Sequence, residues 1–381
     1  MQISKRVQEI APSGIRAFFD LVLGMKDVIS LGVGEPDFVT PWNIREKAIY
    51  SLEQGHTSYT SNKGMVELRR DIAHLLKSKF GLNYDPEEEI LITVGVSEGK
   101  DLAVRALLNP GDKVAIPEPA YVSYWPLAYL TGARPYYINT SKSGFKLTAE
   151  GLDRSIQKGT KLLILNYPSN PTGNSFTKSE LLRIASVVKK RNLTVVTDEI
   201  YDDLTYDFTH TAFTSLKGMR ERTVYLNGFS KSYAMTGFRI GFACGPKEII
   251  AAMTKIHQYT TMCVSITSQM AAMEALKNGA KSVQEMKKEY KRRRDFVVDG
   301  LNRIGLNCHK PQGAFYVFPS IKNTRYKSLD FAKELLRKKK VAVVPGTAFG
   351  PSGEGYLRIS YASSIESLKE ALVRIGEFLK E

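Results

Sequence analysis

Cysteine is scarce. The chain has three in 381 residues, Cys244, Cys263 and Cys308, odd in number, far apart and in apolar settings. That argues against a disulfide framework or a thiolate metal site and suits buried thiols in a reducing cytoplasm. The five histidines show no ligand spacing, so no metal is expected. No apolar run approaches the roughly 20 residues that a bilayer-spanning helix needs. Met1 to Glu9 is polar and lacks the apolar core of a signal peptide. Repeats and low-complexity linkers are also missing. The expectation is a cytoplasmic protein with no membrane partner.

What is present is ordinary in bulk: 43% hydrophobic and 24% charged residues, typical of a globular chain. The length suits one large domain plus a smaller one. A net charge of +15 raises nucleic acid as a partner. The densest basic runs, Lys291 to Arg294 and Arg337 to Lys340, lie in helical patterns, and Glu285, Glu289 and Asp295 flank the first. A solvated helix face explains both runs, and no nucleic-acid motif accompanies them. The basic surface would instead draw anionic small molecules toward a cleft.

Through the middle of the chain, short apolar runs end in polar loops and alternate with helical patterns. Ile90 to Val94 runs into Gly95-Val96-Ser97, which opens a helix to Leu108. A strand, a glycine turn and a helix N-terminus make an anion-binding arrangement; a plain serine-capped turn is the alternative. Lys113 to Ile116 leads to Tyr121, a ring that could stack on a flat ligand or simply pack. Lys161 to Asn166 leads to Asn170-Pro171-Thr172-Gly173, which reads equally as a tight turn. After the helix Lys178 to Arg191, Leu193 to Thr197 ends at Asp198, an acid costly to bury without a partner. Tyr201 follows, while Glu199 and Asp202 are expected in solvent. Further on, helical patterns cover Pro246 to His257 and Ala280 to Ile304, and a strand–helix alternation closes the chain. There Arg358 sits mid-strand among apolar neighbours and needs an anion. Near the N-terminus an amphipathic segment, Ile15 to Leu23, precedes a Gly/Pro-rich turn at Gly32 to Phe38.

The stretch Gly228 to Gly241 organises the rest. Thr223 to Leu226 leads in and Ile240 to Ala243 leads out, so it is a loop between buried strands. A lysine held there is partly desolvated, which favours a neutral amine able to form a Schiff base. Arg239 and Ser230 offer a cationic fork and a hydroxyl to a phosphate. Together they suggest pyridoxal phosphate; a surface Ser/Lys loop with a structural arginine is the other reading.

The order Gly-x-Ser-Lys-x-x-x-Met-x-Gly-x-Arg-Ile-Gly resembles the lysine segment of the class I/II aminotransferases, fold-type I enzymes dependent on pyridoxal 5'-phosphate. Matching motifs run from Gly32 to Arg358, nearly the whole chain, and look closest to prokaryotic aspartate and aromatic-amino-acid enzymes. The resemblance implies an α/β fold with a mainly parallel mixed sheet in a large domain, 41–280, and a smaller α+β domain from both termini, 1–40 and 281–381. It implies Lys231 as covalent anchor and proton carrier, Asp198 on the ring nitrogen, Tyr201 and Asn170 on the phenolate, and Tyr121 stacked on the ring. Val96, Ser97, Ser230 and Arg239 would hold the phosphate, with Tyr59 reaching across a homodimer to the neighbouring site. Gly34 and Arg358 would take the substrate carboxylate, and Tyr121 and Asn170 would border the substrate as well as the cofactor. Ser97 also bears on specificity, since many relatives carry a side-chain-recognising residue near it. The implied reaction moves an amino group from an L-amino acid, aspartate or aromatic, to a 2-oxo acid such as 2-oxoglutarate. A carbon–sulfur β-lyase on the same fold is the alternative. A regulator on this fold would need an added DNA-binding domain, for which 381 residues leave no room.

Overall fold

In the computed structural model, residues 2–15 and 25–381 are described. Apart from Ile15, the amphipathic segment Ile15 to Leu23 lies outside them. Strands are numbered in chain order. A seven-stranded sheet holds β2 (Ile90–Thr93), β3 (Lys113–Glu118), β4 (Arg134–Asn139), β5 (Thr160–Asn166), β6 (Thr194–Asp198), β7 (Thr223–Gly228) and β8 (Gly241–Cys244), in the order β2-β8-β7-β6-β5-β3-β4. Only β8 runs antiparallel to its neighbours, so β2, β3, β5, β6 and β7 all end on one edge. Ligand loops gather at that edge in sheets of this kind.

The strands form where β-branched and apolar residues run together. β2 and β7 are buried at every position, as expected of strands covered on both faces. Each fully buried Val or Leu contributes about 1.5–3 kcal/mol. Helices start and stop at legible signals. Thr177 and Glu180 form a reciprocal capping box at Lys178–Lys190, and Gly81, at φ +70°, ends Val66–Phe80.

Two small sheets use the remaining strands. β1 (Ile29–Ser30) pairs in parallel with β10 (Val341–Ala342), so the N-terminal region docks on the C-terminal one. β12 (Leu357–Ser360) lies between β11 (Val344–Pro345) and β9 (Tyr316–Val317). One apolar cluster runs from Val196 and Leu226 through Tyr290 and Phe315 to Phe331 and Phe378. The two ends of the chain therefore share a core with the central sheet.

The long helix Ala280–Arg303 corrects one expectation. Lys291 and Arg292 are exposed, but Arg293 and Arg294 are buried. Arg293 donates to both Asp37 oxygens, at 2.8 and 2.7 Å, and Arg294 pairs with Asp207 and Asp295. The run is half solvated face and half ion-paired seam, because helical periodicity turns adjacent residues to different sides. Helices also form at Trp42–Glu53, Tyr124–Leu130 and Ile266–Asn278, where the sequence pattern carries a weaker signal. In the first, Trp42, Ile49, Tyr50 and Leu52 are exposed, which blurs the apolar period. In the third, small residues such as Ser268, Ala271, Ala272 and Ala275 form the buried face.

Candidate active site

All the site residues proposed from sequence except Tyr59 line one cavity of about 680 Å³ at the strand-end edge. Tyr59 is 82% exposed and stands away from it.

The helix Gly95–Leu107 begins directly after β2 and points its N-terminus at the cavity. Its first amides have no partner within the helix. Glu98 takes the amide of Val94 at 2.5 Å, so the amides that follow remain for another acceptor. Gly95 is required twice over. Its φ is +67°, and a Cβ there would meet Nη2 of Arg239 at 2.8 Å. Gly241 is held to hydrogen by the amide of Val96, 2.8 Å from where its Cβ would be. Arg239 itself has φ +52°, rare for a side-chain-bearing residue. The guanidinium is thereby packed against a helix N-terminus, with the hydroxyls of Ser97 and Ser230 on the same cavity wall. Two positive features set side by side make a site for a multiply charged anion.

Lys231 follows β7 and donates to the carbonyl of Gly34 at 2.6 Å. Burial pulls its ammonium down to about 8; Arg358 and Arg239 add to the effect, and Glu35 and Asp198 oppose it. The amine is thus far easier to deprotonate than an ordinary lysine. Gly34 packs tightly, since a Cβ would come within 2.8 Å of the Tyr316 hydroxyl.

Asp198 closes β6 and is buried. Its Oδ2 accepts from the Tyr124 hydroxyl at 2.8 Å and lies 3.6 Å from Lys100 Nζ. Burial, then the charge of Asp198, pushes the Tyr124 phenol well above its usual range, so it stays a proton donor. Asn166 Nδ2 ties β5 to the carbonyl of Asp198 at 2.8 Å. Tyr201 is buried and shares a 2.9 Å hydrogen bond with Tyr316. Desolvation, then Tyr316, raises the Tyr201 phenol strongly.

Arg358, on β12, is 1% exposed. Its Nη1 donates to Asn170 Oδ1 at 3.0 Å and Nη2 to the carbonyl of Gly32, while Nε has no partner. The guanidinium lies over the rings of Tyr316 at 4.7 Å and Phe349 at 5.0 Å. Among the described residues no carboxylate meets it. A buried guanidinium with an idle donor, opening on a cavity, is built for an incoming anion. Because Asn170 gives its oxygen to Arg358, the donor end of that amide is the one left for a ligand.

Glu199 and Asp202, expected in solvent, are both buried. Glu199 meets His210 Nε2 at 2.6 Å and accepts from the amide of Phe213; Asp202 pairs with Lys79 at 2.6 Å. Polar character alone does not reveal partners that only the fold brings close: His210 is 11 residues from Glu199 and Lys79 is 123 from Asp202. The structure adds Lys100, Tyr124 and Asn166 to the cavity wall, and Tyr316 beside Tyr201 and Arg358. For Lys100 a signal existed: Val96, Lys100, Ala103 and Val104 recur at helical spacing, so the lysine falls on an apolar face.

The donor set fits pyridoxal phosphate. It supplies an anion cradle, a readily deprotonated lysine, a buried carboxylate and aromatic walls within one cavity, the protein-side needs of that cofactor. Among the described residues no cluster of three or more His, Cys, Asp or Glu side chains could hold a metal.

Comparison with known proteins agrees. The family model for aminotransferase class I and II matches residues 26–375. A putative aminotransferase of Bacillus subtilis, YugH, is 54% identical over 378 residues, covering 99% of this chain and 98% of that protein. The aspartate aminotransferase of Pyrococcus abyssi is 45% identical, covering 100% and 99%. The crystal structure of an aromatic aminotransferase from Pyrococcus horikoshii superposes with a TM-score of 0.91 at 44% identity, covering 96% of this chain and 98% of that one. The chain belongs to the class I and II aminotransferases, and it is a transaminase dependent on pyridoxal phosphate.

Proposed function

We propose that the cavity transfers the amino group of aspartate or an aromatic amino acid to a 2-oxo acid such as 2-oxoglutarate, with Lys231 as covalent anchor and proton carrier. The observation that carries this reading is the meeting, in one cavity, of a lysine depressed to about 8 and a buried arginine with an idle Nε. The named relatives, one an aspartate and one an aromatic enzyme, support the choice of donor. The cofactor, when bound, supplies an aldehyde for the amine and an aromatic ring that draws electrons from the substrate α-carbon.

The chain's own residues do the rest. Arg358, with the Gly34 amide, grips the substrate α-carboxylate and sets the α-carbon before Lys231. Lys231 Nζ, as a free neutral amine, would take the substrate α-proton and later give it back, as base and then acid. With the cofactor bound, Asp198 would pair with its ring nitrogen, Tyr121 would cover the ring, and Tyr201 with Asn170 would donate to its phenolate oxygen. Val96, Ser97, Ser230 and Arg239 would hold the phosphate. The exposure of Tyr59 suits a homodimer in which Tyr59 of the partner subunit completes that cradle. The same reading places the protein in the cytoplasm and divides it into a large domain, 41–280, and a small one, 1–40 with 281–381.

A panel of amino donors against 2-oxoglutarate tests the reading. Aspartate or aromatic donors should lead. Release of pyruvate and ammonia from a β-substituted substrate, without amino transfer, would instead mark a lyase. For the dimer, mixing Tyr59→Ala with Lys231→Ala chains should restore activity, since each hybrid then holds one intact site. No recovery would place Tyr59 outside the neighbouring site.

A further inference from the structure

Lys100 is the one buried lysine of the cavity that the mechanism above leaves unused. It is 4% exposed, in the second turn of the helix Gly95–Leu107, on the face it shares with Val96, Ala103 and Val104. Lysine is rarely buried so deeply without a task for its charge. Its Nζ lies 4.3 Å from the ring centre of Tyr121, 5.1 Å from that of Tyr124 and 3.6 Å from Asp198 Oδ2. That oxygen also takes the Tyr124 hydroxyl. By contrast, Oδ1 accepts only a long bond, from the amide of Ile200 at 3.4 Å, and has capacity left. The carboxylate is therefore divided: one oxygen is committed to protein donors and the other is spare.

We propose that Lys100 is a positioning and charge-tuning residue, which shares the Asp198 carboxylate so that a proton on the cofactor's ring nitrogen is held less tightly than an unshared aspartate would hold it. This rests on the reading that Asp198 faces that nitrogen. The physical reason is local. An ammonium in contact with a buried carboxylate cancels part of its field, and in a site of low polarity the cancellation acts over the whole ring. Three further cations, Lys231, Arg239 and Arg358, and one other acid, Glu35, line the cavity, as do Tyr121, Tyr124 and Tyr201. Lys100 is the cation that meets the Asp198 carboxylate directly, so its removal changes that carboxylate's field most. The committed geometry also pins the carboxylate's rotation, since Oδ2 is held from two sides.

The test uses holoenzyme loaded with pyridoxal phosphate labelled with nitrogen-15 in the ring, in wild type, Lys100→Met, Lys100→Arg and Asp198→Asn. The ring-nitrogen shift is followed across the pH range the enzyme tolerates. In wild type the nitrogen should lose its proton within that range. In Lys100→Met the midpoint should move up by about one pH unit or more, and Lys100→Arg should restore it. Thermal melting supplies a second readout. Without Lys100 the empty protein leaves Asp198 with a buried charge, so Lys100→Met should lower the apo melting temperature more than the holo one, and cofactor should bind several-fold tighter. A ring-nitrogen titration identical in Lys100→Met and wild type would overturn the proposal. So would equal losses of apo and holo stability, the mark of a lysine that only fills space. The Asp198→Asn arm separates the two failures. If it shifts the nitrogen signal and Lys100→Met does not, only the role of Lys100 falls. If Asp198→Asn leaves the signal unmoved, the underlying reading falls with it.

Discussion

Two groups of buried cations behave in opposite ways. In the seam along the helix Ala280–Arg303, Arg294 is fully buried, yet all its nitrogens are engaged: Asp207, Asp295 and the carbonyl of Pro311 take them. In the cavity, Arg358 is just as buried but has no carboxylate among the described residues and an idle Nε. Lys231 meets only a carbonyl. A buried charge whose partners are complete belongs to the architecture. One whose partners are incomplete is waiting for a ligand, and stability is given up to keep it so.

The comparison can be broken in order of expected effect. Lys231→Ala should cost at least the ~10²–10⁴-fold that positioned proton transfer supplies, and leave cofactor bound without its covalent absorption band. Turnover near wild type would remove Lys231 from the chemistry. Arg294→Ala should lower stability by about 3 kcal/mol, the low end for breaking a buried pair because Asp207 is partly solvated, with KM unchanged. Denaturant unfolding and steady-state kinetics check both halves; a raised KM with normal stability would merge the two classes of arginine. Arg358→Lys should do the reverse, raising KM for amino acids roughly 10- to 100-fold, the worth of a charged hydrogen bond at about 1.5–3 kcal/mol.

pH separates the regions more finely. Hydrogen bonding from Arg294 holds the Asp207 carboxyl below its usual value. A depressed folded value means the stabilisation is present above the unfolded value, about 3.9, and is lost as pH falls through the folded one. The stability gap between wild type and Arg294→Ala should therefore narrow only in strong acid. Lys231 responds at the other end. Its neutral amine grows as pH rises through about 8, so cofactor attachment to the empty protein should accelerate through that pH and level above it. A rate still climbing toward the ordinary lysine value, about 10.4, would mean the cavity does not perturb the amine.

Much of this was legible in the chain. Strand ends followed by Gly95, Asn170, Asp198 and Lys231 put the chemistry on one sheet edge, because parallel strands share their carboxyl edge. What remained hidden was pairing. Nothing near Glu199 in sequence announces His210 as its close partner, and nothing near Asp202 announces Lys79. Arg293 and Arg294 read as surface because, beyond the neighbouring Glu289 and Asp295, the partners that bury them, Asp37 and Asp207, are far off in the chain. Lys100 was readable from its apolar face, but its target, Asp198, follows only from the fold.

The cavity holds two lysines, Lys100 and Lys231, and only the second is proposed to carry the covalent bond. Borohydride reduction of the loaded enzyme, followed by proteolysis and mass mapping, fixes the cofactor to whichever lysine carries it. The added mass should fall on the peptide containing Lys231 and on no other. Mass on the Lys100 peptide, or none on that of Lys231, would contradict that assignment.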